Sequence, residues 1–508
     1  MRSIPETFPC EADHPGEERQ AFLRRDFLLP LFLVLLHLAF VMLMLNCCSL
    51  SIKADPGRNY WDYFWQLLPA DFLQTDLLRS LWNLHSQPPL YNLLGTLIMR
   101  LNPAGSCLET LYVLNVIMGA ALCGLLYFPA QALLRRRWLS TALCGLVALH
   151  PSLLLYEAYA LYDVLTAFLI VVTLACMAFF CREHQLRWLT GFIVGLNLLI
   201  LTRTIFHPAV LGPALLLVCI WSGTRWRRML VLALIISLPT AAWCTKNYVK
   251  FGFWGTTSWT GMNLWRIAAS DYPDAERGDL VKAGLLNSMV AADSDFRWPC
   301  DFVEYGFNAT SSVPALNGND FNNINIPAAS RVYQSNALRL IRHDPLRYLH
   351  TVRRAFLRFC RPSFEFGHLE FNARTMPGYL RFWRRLHGRQ PRWLAQTQQP
   401  VYGSVWMVLY VGALVLFILR TLHAWLFRKE PFLAIIRGRP VEFALAYLCI
   451  WVTFVGSTCE IGENDRFKFI VEFPGYVFVA AMLTWAFQGV AGWLTAKLKT
   501  MCGQVGSE

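Results

Sequence analysis

Charge is scarce in this chain. Only 16% of its 508 residues are Asp, Glu, Lys or Arg, while 55% are hydrophobic and 14% aromatic. Mean hydropathy is +0.37. Soluble domains carry about a quarter charged residues, so a mainly water-solvated chain is excluded and lipid must solvate most of this one. Acidic residues are the scarcer sign, 33 against 46 basic, for a net charge of +13. In a soluble protein that excess would point to nucleic acid. Here it matches the Lys/Arg excess that holds membrane loops on the cytoplasmic side, and no nucleic-acid partner is expected. The fifteen cysteines form no C-x-x-C pattern, which removes the common zinc and dithiol motifs. They read as small buried residues, although Cys300 and Cys360 fall in a polar segment where they could pair. No internal repeat and no low-complexity tract stands out. A cleavable signal peptide is not expected, because the apolar run after the polar N-terminal segment is long enough to span.

What is present is a series of apolar runs. Spans of roughly 17–25 residues are predicted at 27–46, 109–130, 138–155, 163–181, 188–205, 208–222, 228–245, 401–420, 441–459 and 468–488. The fold class is therefore an all-α polytopic membrane protein with about ten transmembrane helices. Arg24 and Arg25, Arg135 to Arg137, Arg182 and Arg187, Arg225 to Arg228, Arg428 to Arg439, and Lys497 and Lys499 then share one side, the cytoplasmic one. This divides the chain into a cytoplasmic segment 1–26, a membrane part 27–245 with a first outer loop 47–108, an outer segment 246–400, C-terminal helices 401–490 and a cytoplasmic tail 491–508. In the outer segment, 331–361 reads as two amphipathic helices broken at Pro345, and Asn308-Ala-Thr310 is a glycosylation sequon.

One stretch interrupts this pattern: "LWNLHSQPPLYNLLG", residues 81–95. Its continuation 88–101 is too short to cross, since about 14 helical residues cover about 21 Å of a ~30 Å hydrocarbon core. It is expected to lie in the interface with Pro88 and Pro89 in its first turn, leaving His85 and Gln87 on the outer side. The acidic residues gather there too. The first outer loop holds Asp55, Asp62, Asp71 and Asp76. The second, "YEAYALYD", holds Glu157 and Asp163, and the last, "CEIGENDRFKF", holds Glu460, Glu463, Asp465 and Arg466. Arg203 and His207 bound the third. Carboxylates converging from several loops at one end of a bundle suggest a site for chemistry or ions; the alternative is a solvated face.

These segments carry a resemblance. A long acidic first outer loop closed by "HSQPPLYN" resembles the GT-C membrane glycosyltransferases, especially glycosyltransferase family 39, the protein O-mannosyltransferase and aminoarabinose-transferase type. "HPSLLLYEAYALYDVLTAFL", "LPTAAWCTKNYVKFG" and "GENDRFKFIVEFP" resemble later segments of that family in the same order. Two departures are visible: the family element usually reads H-P-P-L, and its frequent first-loop Asp-Glu pair does not occur here.

The resemblance implies transfer of a sugar from a polyprenyl-phosphate donor to a lipid, glycan or protein acceptor on the non-cytoplasmic face. The membrane would be a bacterial inner membrane or the endoplasmic reticulum. A carboxylate would orient or deprotonate the acceptor hydroxyl, and cations would stabilise the departing phosphate. For the carboxylate the resemblance implies Asp55, with Asp62 the alternative and Asp163 the second-loop acid. Arg203 and Arg466 are preferred for phosphate, whose oxygens suit the guanidinium fork, ahead of Lys246. His85, Gln87, Glu157, His207 and Glu463 complete the candidate binding set. His85 has a structural alternative, bracing the turn before Pro88, and the arginines have interfacial snorkelling. The cofactor is left open between none and a divalent cation. The competing class is a multi-span transporter or lipid flippase, against which no inverted repeat or paired broken helices are found. A catalytically inactive member of the same fold is a third reading.

Overall fold

The computed structural model describes residues 16–52, 61–101, 107–291, 295, 297–317, 321–389 and 401–505. Asp55, the preferred first-loop carboxylate, lies outside the described residues. Among those described every regular element is helical, apart from an isolated bridge between Arg389 and Tyr402. Inside hydrocarbon each backbone N–H and C=O must be satisfied within its own segment, and a helix does that. The chain is an all-α polytopic membrane protein.

Seven helical stretches are long and apolar enough to cross: Phe27–Cys47, Cys107–Leu134, Asp163–Glu183, Pro208–Ile236, Ser404–Leu426, Pro440–Thr458 and Asn464–Thr495. The pair Arg137–Ala148 and Pro151–Glu157, bent by 45°, makes eight if it is one broken span. Ten were expected, and the difference has two sources. Leu186–Thr202 has 17 residues, at the lower limit for a crossing. The expected spans 208–222 and 228–245 fall largely within one helical stretch, which reverses at Gly223 (φ 58°). Hydrogen bonds show the reversal. Trp221 Nε1 donates to the Ile436 carbonyl (3.1 Å), whereas Asn197 Nδ2 donates to Ser237 Oγ (3.2 Å) and Thr240 Oγ1 to Asn197 Oδ1 (2.7 Å). A straight rod would carry Ser237 roughly 40 Å from Val210, far from the end of the bundle where Asn197 and Arg203 lie.

The membrane core is layered around Asp163–Glu183. Leu186–Thr202 and Cys107–Leu134 pack on it, Gly16–Cys47 packs on Cys107–Leu134, and Pro440–Thr458 and the last helix close the other side. The segment 246–400 has a separate core of Trp259, Met262, Trp265, Phe302, Phe321 and Tyr333, built on the packed helices Thr260–Ala269 and Ile326–His343. The break expected at Pro345 falls between Ile326–His343 and Pro345–Phe359, where Asp344 Oδ1 accepts from Arg347 N (3.0 Å). Cys300 and Cys360 are both free, one exposed and the other buried in the membrane core, so they do not pair.

"PPLYNLLGTLIMR" forms the helix Leu90–Leu101. Its prolines precede the first turn rather than occupy it: the Pro89 carbonyl accepts from Leu93 N (3.0 Å). The helix is held by Trp61, which stacks on Tyr91 (5.8 Å, 10°) and covers Gly95. A Cβ on Gly95 would overlap the indole ring, which has no flexible end to yield. Gly95→Ala should therefore cost about 1–3 kcal/mol by overpacking, read as a lower melting temperature in detergent, and a smaller residue at Trp61 should restore part of it. An unchanged melting temperature would mean that this contact is loose.

Candidate functional site

Four of the residues singled out in the sequence meet at one end of the bundle. Asp163 opens its helix, Arg203 ends Leu186–Thr202 as its C-cap, and Glu463 and Arg466 lie at the start of the last helix. The Asp163 carboxylate accepts from both arginines. Arg203 Nη1 donates to Oδ1, and Arg466 Nε donates to Oδ1 and Oδ2 at 3.1 and 3.0 Å. Arg466 Nη1 donates to Glu463 Oε2 (2.7 Å). The side chains of Asp163, Arg203 and Arg466 are at most 2% exposed, whereas that of Glu463 is 32% exposed. Tyr162 lies under both guanidinium groups, 5.2 and 5.3 Å from its ring centre. Each arginine keeps one buried nitrogen, Nη2, without a hydrogen-bond partner among the described residues.

Aromatic packing extends this cluster toward the first loop. Tyr162 meets Tyr91 edge-on (5.6 Å), and Tyr91 stacks on Trp61, the neighbour of Asp62. The Leu-Tyr of "HSQPPLYN" thus packs the second-loop cluster against the first-loop turn. Asp62 itself is exposed and accepts from Ala70 N (2.8 Å).

The rest of "HSQPP" forms a buried corner. His85 Nδ1 meets Ser258 Oγ (2.9 Å), Asn322 Oδ1 accepts from the backbone N–H groups of His85 and Ser86, and Thr257 Oγ1 donates to the Ser86 carbonyl. Lys246 Nζ donates to the Leu84 carbonyl (2.5 Å) and sits 3.7 Å from the Trp243 ring centre. Burial and the Lys246 charge push His85 down to about 3. Burial, with Lys250 near by, brings Lys246 down to about 7. These contacts fit the bracing role for His85, with Lys246 beside it. Gln87 is buried, with no partner for Oε1 among the described residues.

Glu157 and Asp163, six residues apart, do not share a site. Glu157 turns into the bundle, where His37 Nε2 meets it at 2.6 Å and Asn115 Nδ2 donates to its carbonyl. Gly119 leaves room for this carboxylate, because a Cβ there would overlap Oε1. His207 is half-buried, caps a short turn through Ala209 N, and is pushed down by burial. The sequence reading missed His37, a lone histidine inside an apolar run. It also passed over Arg266, which reaches from the helix Thr260–Ala269 to Glu460 (3.2 Å). Burial lifts the Glu460 carboxyl to about 8 despite Arg266. Burial would raise Glu463 too, but Arg466, Arg266 and Arg203 outweigh it and hold it below the usual carboxylate range.

Three groups have metal-like spacing: His150, His387 and Glu472, whose ligand atoms lie within 4.8 Å of one another. Their donors are already committed. Ser152 N–H donates to His150 Nδ1 (3.2 Å), so a neutral ring carries its proton on Nε2, facing Tyr476 Oη at 3.2 Å. Glu472 takes Lys468 Nζ (2.7 Å), Tyr476 Oη (3.1 Å) and Ser363 Oγ. A protonated Nε2 does not ligate, and an adjacent ammonium opposes a dication. The cluster does not fit the divalent cation that the sequence left open. It ties Ser363 and His387 to the last span.

No family model and no curated protein matches the chain. Among solved structures it superimposes on the Archaeoglobus fulgidus oligosaccharyltransferase in complex with Zn and sulfate, at 12% identity and a TM-score of 0.32, over 93% of this chain and 51% of that one. ArnT from Cupriavidus metallidurans bound to undecaprenyl phosphate aligns at 15% identity and a TM-score of 0.29, over 88% and 77%. The chain spans about half the length of the oligosaccharyltransferase. Likeness at these scores carries no argument, so the functional reading rests on the chain's own residues.

Removing one partner of a buried ion pair leaves uncompensated charge, which costs about 3–5 kcal/mol. Asp163→Asn should therefore unfold the protein at clearly lower temperature than Glu463→Gln, because Arg466 keeps Asp163 as a partner when the part-exposed Glu463 is neutralised. A second outcome follows from Glu460. Its folded value of about 8 exceeds the unfolded 4.5, so the folded state holds a proton the unfolded chain releases. That contribution is full below about pH 4.5 and is lost as pH rises toward 8. Glu460→Gln should flatten the fall in melting temperature across that window; an identical slope would remove Glu460 as its cause.

Proposed function

We propose that the chain is a membrane glycosyltransferase of GT-C type, moving a sugar from a polyprenyl-phosphate donor to a hydroxyl-bearing lipid, glycan or protein acceptor on the non-cytoplasmic face. The observation that supports it most is the pair of buried arginines aimed by Asp163. Each has an Nη2 without a partner among the described residues, and buried unsatisfied donors call for an explanation. Phosphate oxygens supply one, because guanidinium–phosphate bonds are charge-assisted and matched in geometry. Asp163 then orients the two forks, since both of its oxygens are occupied by them.

In the reaction, the acceptor oxygen attacks the anomeric carbon, and the bond to the donor phosphate breaks with its electron pair going to phosphate. Arg203 and Arg466 stabilise the charge that develops there. The acceptor proton goes to a first-loop carboxylate, Asp55 or Asp62. His85 acts indirectly, by stiffening the corner that sets the first loop. The transporter reading is less favoured because this charge sits at an end of the bundle, where a site for chemistry needs it.

The test uses purified protein in detergent with mixed polyprenyl-phosphate sugars. An enzyme converts donor lipid there, whereas a transporter only moves substrate across sealed vesicles. Arg203→Lys and Arg466→Lys keep the charge but lose the fork, and each should raise the donor KM. Loss of a general base costs about 10²–10⁴ in rate, so Asp55→Asn or Asp62→Asn, whichever is the base, should fall by that factor with an unchanged melting temperature. Full turnover in both variants would take the first loop out of the chemistry.

A further inference from the structure

The helix Pro377–His387 takes no part in the site described above, and its residues divide among three faces. At about 100° per residue, Leu380, Trp383 and His387 share one face, and all three are buried. Trp383 meets His150 at 4.4 Å, and Tyr379 Oη donates to the Leu149 carbonyl, so this face covers the bend of the broken span. Phe382 and Leu386, one turn apart, form a second face and are 56% and 51% exposed. Arg381 and Arg385, also one turn apart, form the third and are exposed. Neither has a hydrogen bond or ion pair among the described residues, whereas Arg384 beside them is tied to Glu365 (2.9 Å).

The helix starts where the first span ends. Just beyond that span Ser51 N–H donates to Asn372 Oδ1 (2.9 Å), and Asn372 Nδ2 donates back to the Ser51 carbonyl (3.0 Å). Tyr379, which adjoins the apolar face, packs on Phe40 of the span (5.8 Å). Leu43, a turn further along the same flank of the span, is 55% exposed. The apolar face therefore continues the surface that the first span offers to lipid, and the basic face lies on the side away from Tyr379. Two exposed apolar side chains on a surface helix are unremarkable by themselves. Their register, the arginines beside them and the lipid-facing span at which the helix starts together specify a membrane surface. We infer that Pro377–His387 lies in the membrane interface and binds anionic phospholipid. Phe382 and Leu386 enter the upper acyl chains, and Arg381 and Arg385 meet head-group phosphates. The inference stands whether or not the glycosyltransferase reading does, because Arg203 and Arg466 have no share in it.

The experiment places an environment-sensitive fluorescent amino acid at Phe382, or at Arg381, in the full-length protein. The protein is reconstituted in nanodiscs of phosphatidylcholine and phosphatidylglycerol, and each lipid in turn carries a nitroxide high on its acyl chain. The fluorophore at Phe382 should be quenched by lipid nitroxide and protected from a water-soluble one, and that at Arg381 should show the reverse order. Quenching at Phe382 should be stronger when phosphatidylglycerol is the labelled lipid. Arg381→Gln with Arg385→Gln should remove that preference, a loss of about fivefold in local enrichment for each charge, while quenching by lipid persists. A fluorophore at Phe382 open to the water-soluble nitroxide and untouched by the lipid one would overturn the placement, leaving this face to a protein partner or to water. Equal quenching by the two labelled lipids, or a preference that survives the double variant, would overturn the role of the arginines. Should the double variant fail to fold, the comparison of Phe382 with Arg381 still decides the placement. The preference between lipids, read with the arginines in place, then decides the charge.

Discussion

The carboxylate of Asp163, shared by two guanidinium groups, is the constraint on which this end of the molecule depends. Asp163 and its two partners begin or end three different helices. Each helix end is therefore fixed in depth and rotation by one small group. Buried ion pairs often add little net stability against an apolar substitute. Their strength is in specifying one arrangement, and in lipid that matters more, because tails solvate an apolar helix face as readily as a neighbouring helix does.

Two deeper polar ties follow the same logic. His37 and Glu157 join the first span to the end of the broken one. Lys468, Glu472, Tyr476 and His150 join the last span to the bend of the broken one, and Ser363 brings in the chain that follows the helix Pro345–Phe359. Charges inside a membrane domain are costly unless paired, so each tie discriminates strongly between packings. The bend at His150 and Pro151 is held by such a tie, which makes it a fixed corner of the bundle.

The fold class was legible because apolar runs and scarce charge admit little else. The residues of the terminal cluster were legible too: Asp163, Arg203, Glu463 and Arg466 stand out as charges at the borders of apolar runs. Their pairing was not. Nothing in the order of residues says that Glu157 turns inward to His37 while Asp163, six positions on, takes two arginines; that depends on which helix lies alongside. The crossing count was obscured for a related reason. The helical pattern runs almost unbroken through the chain reversal at Gly223, which lies in the gap that the apolar runs 208–222 and 228–245 leave between them. His85 stood out as polar within an apolar run; its backbone N–H and Nδ1 meet partners more than 170 positions away, while its buried Nε2 has no partner among the described residues. Asp62 and Asp55 differ in sequence only by context, and the described residues include only Asp62.

The corner at His85 has a consequence for how the protein is made. Its partners Ser258 and Asn322 come 173 and 237 positions later in the chain. Synthesis proceeds at about 5–20 residues per second, so the first loop and the helix Leu90–Leu101 emerge many seconds before anything can hold them. Closing so long a loop adds only slowly to the entropic cost, but it imposes an order of events. The helices up to residue 251 must be placed before the segment that follows can fold its own core and deliver Asn322 to the corner. The first loop is therefore synthesised early and is among the last elements to be fixed.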